Sequence, residues 1–410
     1  MSNRIDPNLI RELEEFGLKD ANKCYNCGTC TATCDLSTPE NPFPRKMVRY
    51  VQTGQKDKIL KSPEPWLCYY CGDCSTRCPR EADPGETMMV LRRYLTSLYD
   101  WTGFAKKFYT SEPFERAAVA TIGILVGLGM IIWGISNWGG INWQHADVST
   151  VWSTAGIEIA DLVMAGILSF FLLTNLFRCV KVVMGDYFKK VPLKMYWEER
   201  KYLLTHFATQ KQFGGCKTKG NRARWIAHLA IMTGYATVFL LVVVFVNGLP
   251  FMGINALKFQ RGWASMGGVN ELSIFNPIRL LGYYSFFAIM YGTTYVILAR
   301  KGLIKSQPQF KNSHSTDWMF LILLQATAIT GIFINLGHIF DWVFFTYAIY
   351  VIHMMVAIPM LVLEVPFAKW AHLAYRPVVL MLMRVKSRYI AEYEQAKAPE
   401  GAALASEAAV

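Results

Sequence analysis

The chain has 410 residues, 53% of them hydrophobic and 14% aromatic, with a formal net charge of +12. That length leaves room for more than one domain, and the apolar share exceeds that of an ordinary soluble protein. The positive balance needs no nucleic acid to explain it, because most of it is accounted for by the retention of Lys and Arg on the cytoplasmic side of a membrane, with a basic docking face as a secondary possibility.

The chain divides by composition. Residues 1–116 are charged and rich in turn residues. Beyond them run uncharged stretches of the length that crosses a bilayer, about 20 residues. The opening "MSNRIDPNLIRELEEFG" has no apolar stretch after a basic start. It reads as no cleavable signal, so the N-terminus is expected to stay on the side where it was made.

Four cysteines follow in "CYNCGTCTATCD": Cys24, Cys27, Cys30 and Cys34. The spacing is C-x2-C-x2-C-x3-C, and Cys68, Cys71, Cys74 and Cys78 repeat it in "CYYCGDCSTRCP". In bacterial ferredoxins this run holds a [4Fe–4S] cube by three close cysteines, and the fourth ligates the other cluster. Two clusters are implied, one on Cys24, Cys27, Cys30 and Cys78 and the other on Cys68, Cys71, Cys74 and Cys34. Gly28 and Gly72 follow the second cysteine of each set, where the chain must turn tightly. Disulfides are disfavoured in a reducing cytoplasm, and zinc sites use two cysteine pairs without the third close cysteine. Pro79 follows Cys78 as the ferredoxin pattern has it, whereas Asp35 follows Cys34. Cys179 and Cys216 stand alone and read as buried or interfacial thiols.

Between the two sets a helix is expected. Pro44 suits a first helical position, Met47, Val48 and Val51 supply an apolar face, and Gly54 a stop. Arg45, Lys46 and Arg49 fall on the opposite face and read as solvated, with docking of an acidic partner as the rarer alternative. The head is therefore expected to be an α-helical ferredoxin.

Six spans are expected: 117–136, 157–177, 225–246, 280–299, 318–337 and 342–363. Basic residues gather at 181–224 and in Arg300, Lys301, Lys305 and Lys311, while 137–156 carries none and 248–276 has only Lys258 and Arg261. Both termini are thus expected on the cytoplasmic side.

Histidines at membrane depth are costly and point to function. His228 lies near the start of the third span, His338 closes the fifth, His353 is near the middle of the sixth, and His372 lies just beyond it. A neutral imidazole suits axial ligation of haem. His353 and His372 are nineteen residues apart, roughly 28 Å along a helix, so they cannot share one iron. His228 pairs with His372 at the cytoplasmic side. His338 is the remaining candidate partner for His353, about 15 Å off by a plain depth count, a gap that a bend at Pro359 would have to close. His145, His206 and His314 are given no role, His314 standing at an expected helix start. Glu158, Asp161 and Glu364 sit at span ends, where they could carry protons but carboxylates are more often simply hydrated.

The head resembles the C component of heterodisulfide reductase through "CYNCGTCTATC", "FPRKMVRYVQTG" and "PWLCYYCGDCSTRCP". The remainder resembles the cytochrome b subunits of heterodisulfide reductase and respiratory nitrate reductase through "RWIAH", "DWMFLILLQATAITG" and "HMMVAIPMLVLEVPFAKWAHLAYRP". Both in one chain is similar to the C components of quinone-interacting membrane-bound oxidoreductase complexes. That resemblance implies soluble flavin and iron–sulfur partner subunits, menaquinone as substrate, and a link to adenylylsulfate reductase in dissimilatory sulfur metabolism. It implies two haems b on four histidines. One departure is that the third span offers only His228 where the nitrate-reductase cytochrome has two ligands on that helix.

The expected architecture is all-α: a cytoplasmic ferredoxin head at 1–110, a six-span cytochrome b bundle at 111–390, and a low-complexity tail at 391–410. The expected function is an electron relay in the inner membrane, through two [4Fe–4S] clusters and haem b to quinone. Two rivals stand beside it: a membrane subunit linked to heterodisulfide or sulfite reductase, and a haem-free anchor for an iron–sulfur protein.

Overall fold

A computed structural model of the chain describes residues 5–210, 213, 221–242, 277–304 and 313–394. It is all-α, with no strand among the described residues. Two compact units emerge, one of residues 1–95, 174–215 and 372–410, the other of 96–173 and 216–371.

The first unit contains the cysteine head. Its short helices are α1 (Leu9–Glu14), α2 (Thr29–Thr33), α3 (Arg45–Gln52), α4 (Lys56–Lys61), α5 (Glu64–Leu67) and α6 (Asp73–Thr76), followed by the long α7 (Pro84–Tyr99). The expected helix is α3: Met47, Val48 and Val51 are buried, Gly54 ends it at φ +65°, and Pro44 sits one position earlier, as its cap. Its basic face is only partly solvated. Arg49 is exposed, but the Lys46 ammonium donates to Glu64 at 2.8 Å and to Asn41 at 3.1 Å. Leu9, Leu13, Phe16, Ile59, Trp66 and Tyr94 complete the core.

Two later segments join this unit. After α12 (Leu193–Thr209), the helix α18 (His372–Tyr389) docks by charge: Arg384 Nε donates to Glu199 at 3.0 Å and Arg388 Nη1 lies 2.8 Å from Glu198.

Phe104–Thr110 (α8) opens the second unit. Among the described residues five helices are long and apolar enough to cross a membrane, over Glu112–Ser136, Ala155–Tyr187, Arg279–Arg300, Ser315–Ile339 and Val343–Phe367. These correspond to α9 (Glu112–Ser136), α11 (Thr154–Met184), α14 (Pro277–Arg300), α15 (Ser315–Ile339) and the run beginning with α16 (Val343–Pro359). Between α9 and α11 lies the short α10 (Val148–Val151). The expected span at 225–246 falls on α13 (Asn221–Leu240), which is not one of the five; 243–246 lie outside the described residues, as do 248–276, Lys305, Lys311, Cys216 and the tail beyond 394.

Small residues let these helices approach closely, the packing device available where lipid removes the hydrophobic drive between helices. A Cβ on Gly127 would sit 2.7 Å from Met355 Sδ, and one on Gly292 2.5 Å from the Ala227 carbonyl oxygen. Pro359 ends α16 in one wide turn, Met360–Glu364, before α17 (Val365–Phe367). This is the bend that a proline without an N–H produces.

Candidate functional site

The two cysteine motifs fold alike. In each, the residue before the second cysteine has a left-handed backbone (Asn26 φ +59°, Tyr70 φ +52°), and the glycine after it does too (Gly28 φ +89°, Gly72 φ +85°). Those glycines cap α2 and α6. The turn aims backbone N–H groups at sulfur: Asn26 N donates to Cys24 Sγ at 3.4 Å and Tyr70 N to Cys68 Sγ at 3.3 Å. Ala82 N donates to Cys78 Sγ at 3.4 Å. Such bonds favour a thiolate, the form that binds iron.

Cys24, Cys27, Cys30 and Cys78 line one cavity, together with Tyr25, Gly28, Arg45 and Arg80. The cysteine that joins the first three comes from the second motif. Cys27 is exposed there, and its thiol is lowered by the Thr29 hydroxyl. Burial raises Cys30, with Cys24 and Cys78 adding to it.

The other four are drawn together more deeply. Burial pushes the Cys34 thiol up to about 12, with the charges of Cys68 and Cys71 adding to the effect. Cys74 is held well above the ordinary thiol range by burial first, then by Cys68, Cys71 and Cys34. Burial also raises Cys68, against the pull of Arg92. Thiols kept neutral by burial lose their protons when a metal supplies the compensating charge. Among the described residues no three His, Cys, Asp or Glu side chains converge on a single ion. A cube of four irons asks for something else, one thiolate per iron. The donor set of eight cysteines in two groups of four fits iron–sulfur clusters.

Residues that the motif spacing does not mark hold these loops. Gln52 Nε2 donates to the carbonyls of Cys24 (2.8 Å) and Ala21 (3.0 Å). Tyr70 OH donates to Glu86 at 2.6 Å, and Glu86 in turn pairs with buried Arg93 at 2.7 Å. Arg92 donates to the carbonyls of Pro65 at 2.7 Å and of Cys68. From α18, Arg376 reaches the Leu67 carbonyl at 3.4 Å, and Tyr375 packs on Trp66 with ring centroids 5.4 Å apart. No spacing rule in the motif itself points to these partners.

His353 is half-buried on α16, with its Nδ1 2.8 Å from Thr330 Oγ1 on α15. When the Thr330 hydroxyl donates to the Ala326 carbonyl, 2.8 Å away, it accepts from His353 Nδ1–H. That tautomer leaves Nε2 with its lone pair, the arrangement of a ring oriented to bind iron. His353 is thus left with one ring nitrogen able to accept a metal.

His338 is not brought to His353. Its Nδ1 donates to the Ala146 carbonyl at 2.6 Å, in the loop after α9. Thr330, opposite His353, is eight residues before it on α15, about 12 Å along the axis. His228 is half-buried on α13, and His372 opens α18. Among the remaining histidines, His314 caps α15 by accepting from Thr316 N. His206 is buried, which together with Arg376 lowers its pKa to about 4. His145 is exposed.

Glu364 departs from the hydration expected of a carboxylate at a span end. It is fully buried, and so is Glu115.

Residues 23–82 match the 4Fe-4S dicluster domain family. The chain is similar to a protein of Archaeoglobus profundus described as like the C component of heterodisulfide reductase, 31% identical over 23% of this chain and 51% of that protein. It is similar to the iron-sulfur C component of the CoB–CoM heterodisulfide reductase of Methanopyrus kandleri, 34% identical over 29% of this chain and 61% of that one. With the C component of the ferredoxin:CoB-CoM heterodisulfide reductase of Methanosarcina acetivorans it shares 37% identity over 20% of this chain and 32% of that protein. The chain thus spans about half the length of the first two curated relatives and a third of the last. No solved structure matches it. The N-terminal region is a 4Fe-4S dicluster domain with eight cysteines, related to the C component of heterodisulfide reductase, and a helical region with several membrane-length apolar helices accompanies it.

Proposed function

We propose that the chain is the membrane electron-transfer subunit of a quinone-linked oxidoreductase, passing electrons between soluble flavin and iron–sulfur subunits and menaquinone in dissimilatory sulfur metabolism. The observation that carries the reading is the convergence of four cysteines from two motifs, Cys24, Cys27, Cys30 and Cys78, on one cavity. Bound there and at Cys34, Cys68, Cys71 and Cys74, [4Fe–4S] clusters would supply one-electron chemistry, as would haem b with His353, His228 and His372 as its candidate ligands.

The chain's own residues divide the labour. The first cavity is the outward one, with Cys27 and Tyr25 exposed and Arg45 and Arg80 beside it, a cationic rim for an acidic partner. In the second set Cys68 and Cys74 are buried and Cys34 and Cys71 partly so, and the set leans on α18, the helix that His372 opens, through Tyr375 and Arg376. Electrons entering at the exposed set are handed inward from the exposed to the buried cysteines. His353, turned by Thr330, orients the ring at membrane depth.

The test is the reduced-minus-oxidised optical spectrum of the purified chain, with iron and haem quantified per polypeptide, repeated on His353→Ala. About eight irons per chain and b-type absorption that drops in the variant support the proposal. Iron-loaded protein without haem absorption leaves the anchor reading in its place.

A further inference from the structure

A proton site emerges at one end of the membrane helices. Ser111 ends the preceding turn and α9 starts at Glu112, so Glu112 and Glu115 both lie in its first turn. There the free N–H groups of the helix favour negative charge. The two carboxylates face different surroundings. Glu112 is exposed and pairs with Arg116. Glu115 is 0% exposed.

Opposite it stands Glu364, also 0% exposed, turned inward by the wide turn after Pro359. The two carboxyl groups face one another, close enough for each to act on the other. None of their four oxygens has a hydrogen-bond partner. The charged groups facing Glu115 are Glu112, Asp317 and Arg116 besides Glu364, and Glu115 is the one that faces Glu364. Nearby cations are engaged elsewhere, since Arg300 lies 3.2 Å and Lys369 2.6 Å from Asp317. As two carboxylates the pair would consist of four buried acceptors without a donor. As an acid and a carboxylate it makes a hydrogen bond and halves its charge.

We infer that Glu115 and Glu364 form a proton-binding site, in which one proton is shared between them and Glu364 is the acid whose O–H donates to the Glu115 carboxylate. Glu115 keeps the charge because the α9 N-terminus stabilises it there. Its use rests on the function proposed above: a quinone that takes up two electrons from the relay also takes up two protons. When the Glu364 O–H breaks, that proton forms an O–H on one oxygen of the reduced quinone; the resulting carboxylate is reprotonated from water, and a second transfer of the same kind forms the O–H on the other oxygen.

Infrared spectroscopy of the full chain reads the site directly. With labelled glutamate, a protonated-carboxyl stretch sensitive to deuterium is expected at neutral pH. It is lost in Glu364→Gln and shifted in Glu115→Gln, where the acid remains but its acceptor has changed. Absence of the band from the unaltered chain, or its persistence unchanged in both variants, overturns the proton site. Loss in Glu115→Gln with only a shift in Glu364→Gln overturns the assignment of the acid. In the assembled complex, Glu364→Gln is expected to slow quinone reduction about a hundred-fold while the soluble partner still reduces the clusters. An unaltered complex that does not react with quinone overturns that use of the proton, and with it the proposed function, whereas the infrared result is read independently.

Discussion

Arg376 lays its guanidinium 4.0 Å from the centroid of the Tyr69 ring, next to Cys68. Phe213 stacks on the same ring with centroids 5.6 Å apart. Residues near the two ends of the chain thus meet at the buried cysteine set. Removing the cation in Arg376→Ala is expected to cost about 1–2 kcal/mol from the ring contact and the Leu67 hydrogen bond together. Loss of a positive charge beside one cluster also moves that cluster's potential to a more negative value and leaves the other unchanged. Redox titration followed by electron paramagnetic resonance resolves the two. Arg376→Lys restores charge without the flat fork, so the potential recovers more fully than the stability.

Glycines in the left-handed region allow a paired comparison. At Gly54, with φ +65°, an added Cβ would lie 2.2 Å from the Asp6 carbonyl oxygen. That backbone is itself fixed by Asp6 N donating to the Gly54 carbonyl at 2.8 Å. At Gly103, φ +80°, nothing lies within 4 Å. Gly103→Ala is therefore expected to cost only the conformational strain, about 1–2 kcal/mol. Gly54→Ala adds displaced backbone and should cost about 2–4 kcal/mol. Denaturation midpoints of the iron-loaded protein measure both.

What was legible in the sequence was local. The cysteine spacing and the helix around Met47, Val48 and Val51 depend on neighbours a few residues apart, and both stand in the fold. The all-α class follows from the same periodicities. Contacts of large sequence separation were not legible: no spacing rule brings Arg376 to Tyr69 or Arg384 to Glu199. His338 illustrates a second limit. Its position at the end of a span pointed to iron, but a loop almost two hundred residues earlier returns the Ala146 carbonyl to it. Glu364 illustrates a third. Its place at a span end implied hydration, and the turn that buries it depends on how the chain leaves Pro359.

That same loop predicts a response to acid. Asp341 accepts from Ala146 N at 2.5 Å, and His145 Nδ1 lies 2.6 Å from its other oxygen. The Ala146 N–H, and next the His145 ring, hold the Asp341 carboxyl below its ordinary value. A depressed folded value means the stabilisation is complete above the unfolded value, near 4, and is lost as pH falls through the lower folded one. Hydrogen exchange in residues 137–152 is expected to quicken across that acid window. In Asp341→Asn the exchange is faster at neutral pH and the acid dependence disappears. Persistence of the full pH response in the variant would show that another group fastens the loop.

The crossed cysteine sets make the sharpest prediction about the head. If each motif closed its own cluster, Cys78→Ser would disturb the cluster of Cys68, Cys71 and Cys74. The cavity that Cys78 shares with Cys24, Cys27 and Cys30 points the other way, as does the mutual influence of Cys34 with Cys68 and Cys71. Cys78→Ser should therefore alter the same paramagnetic signal as Cys27→Ser, while Cys34→Ser should alter the other one, together with Cys71→Ser. Each single variant is expected to retain one cluster with an unchanged spectrum, or about four irons of eight where the altered cluster is lost outright. Because Cys27 is exposed and Cys74 buried, the cluster touched by Cys78→Ser should also be the one more readily destroyed by an aqueous oxidant in the unaltered protein. Cys78→Ser and Cys71→Ser altering the same signal would refute the crossed assignment.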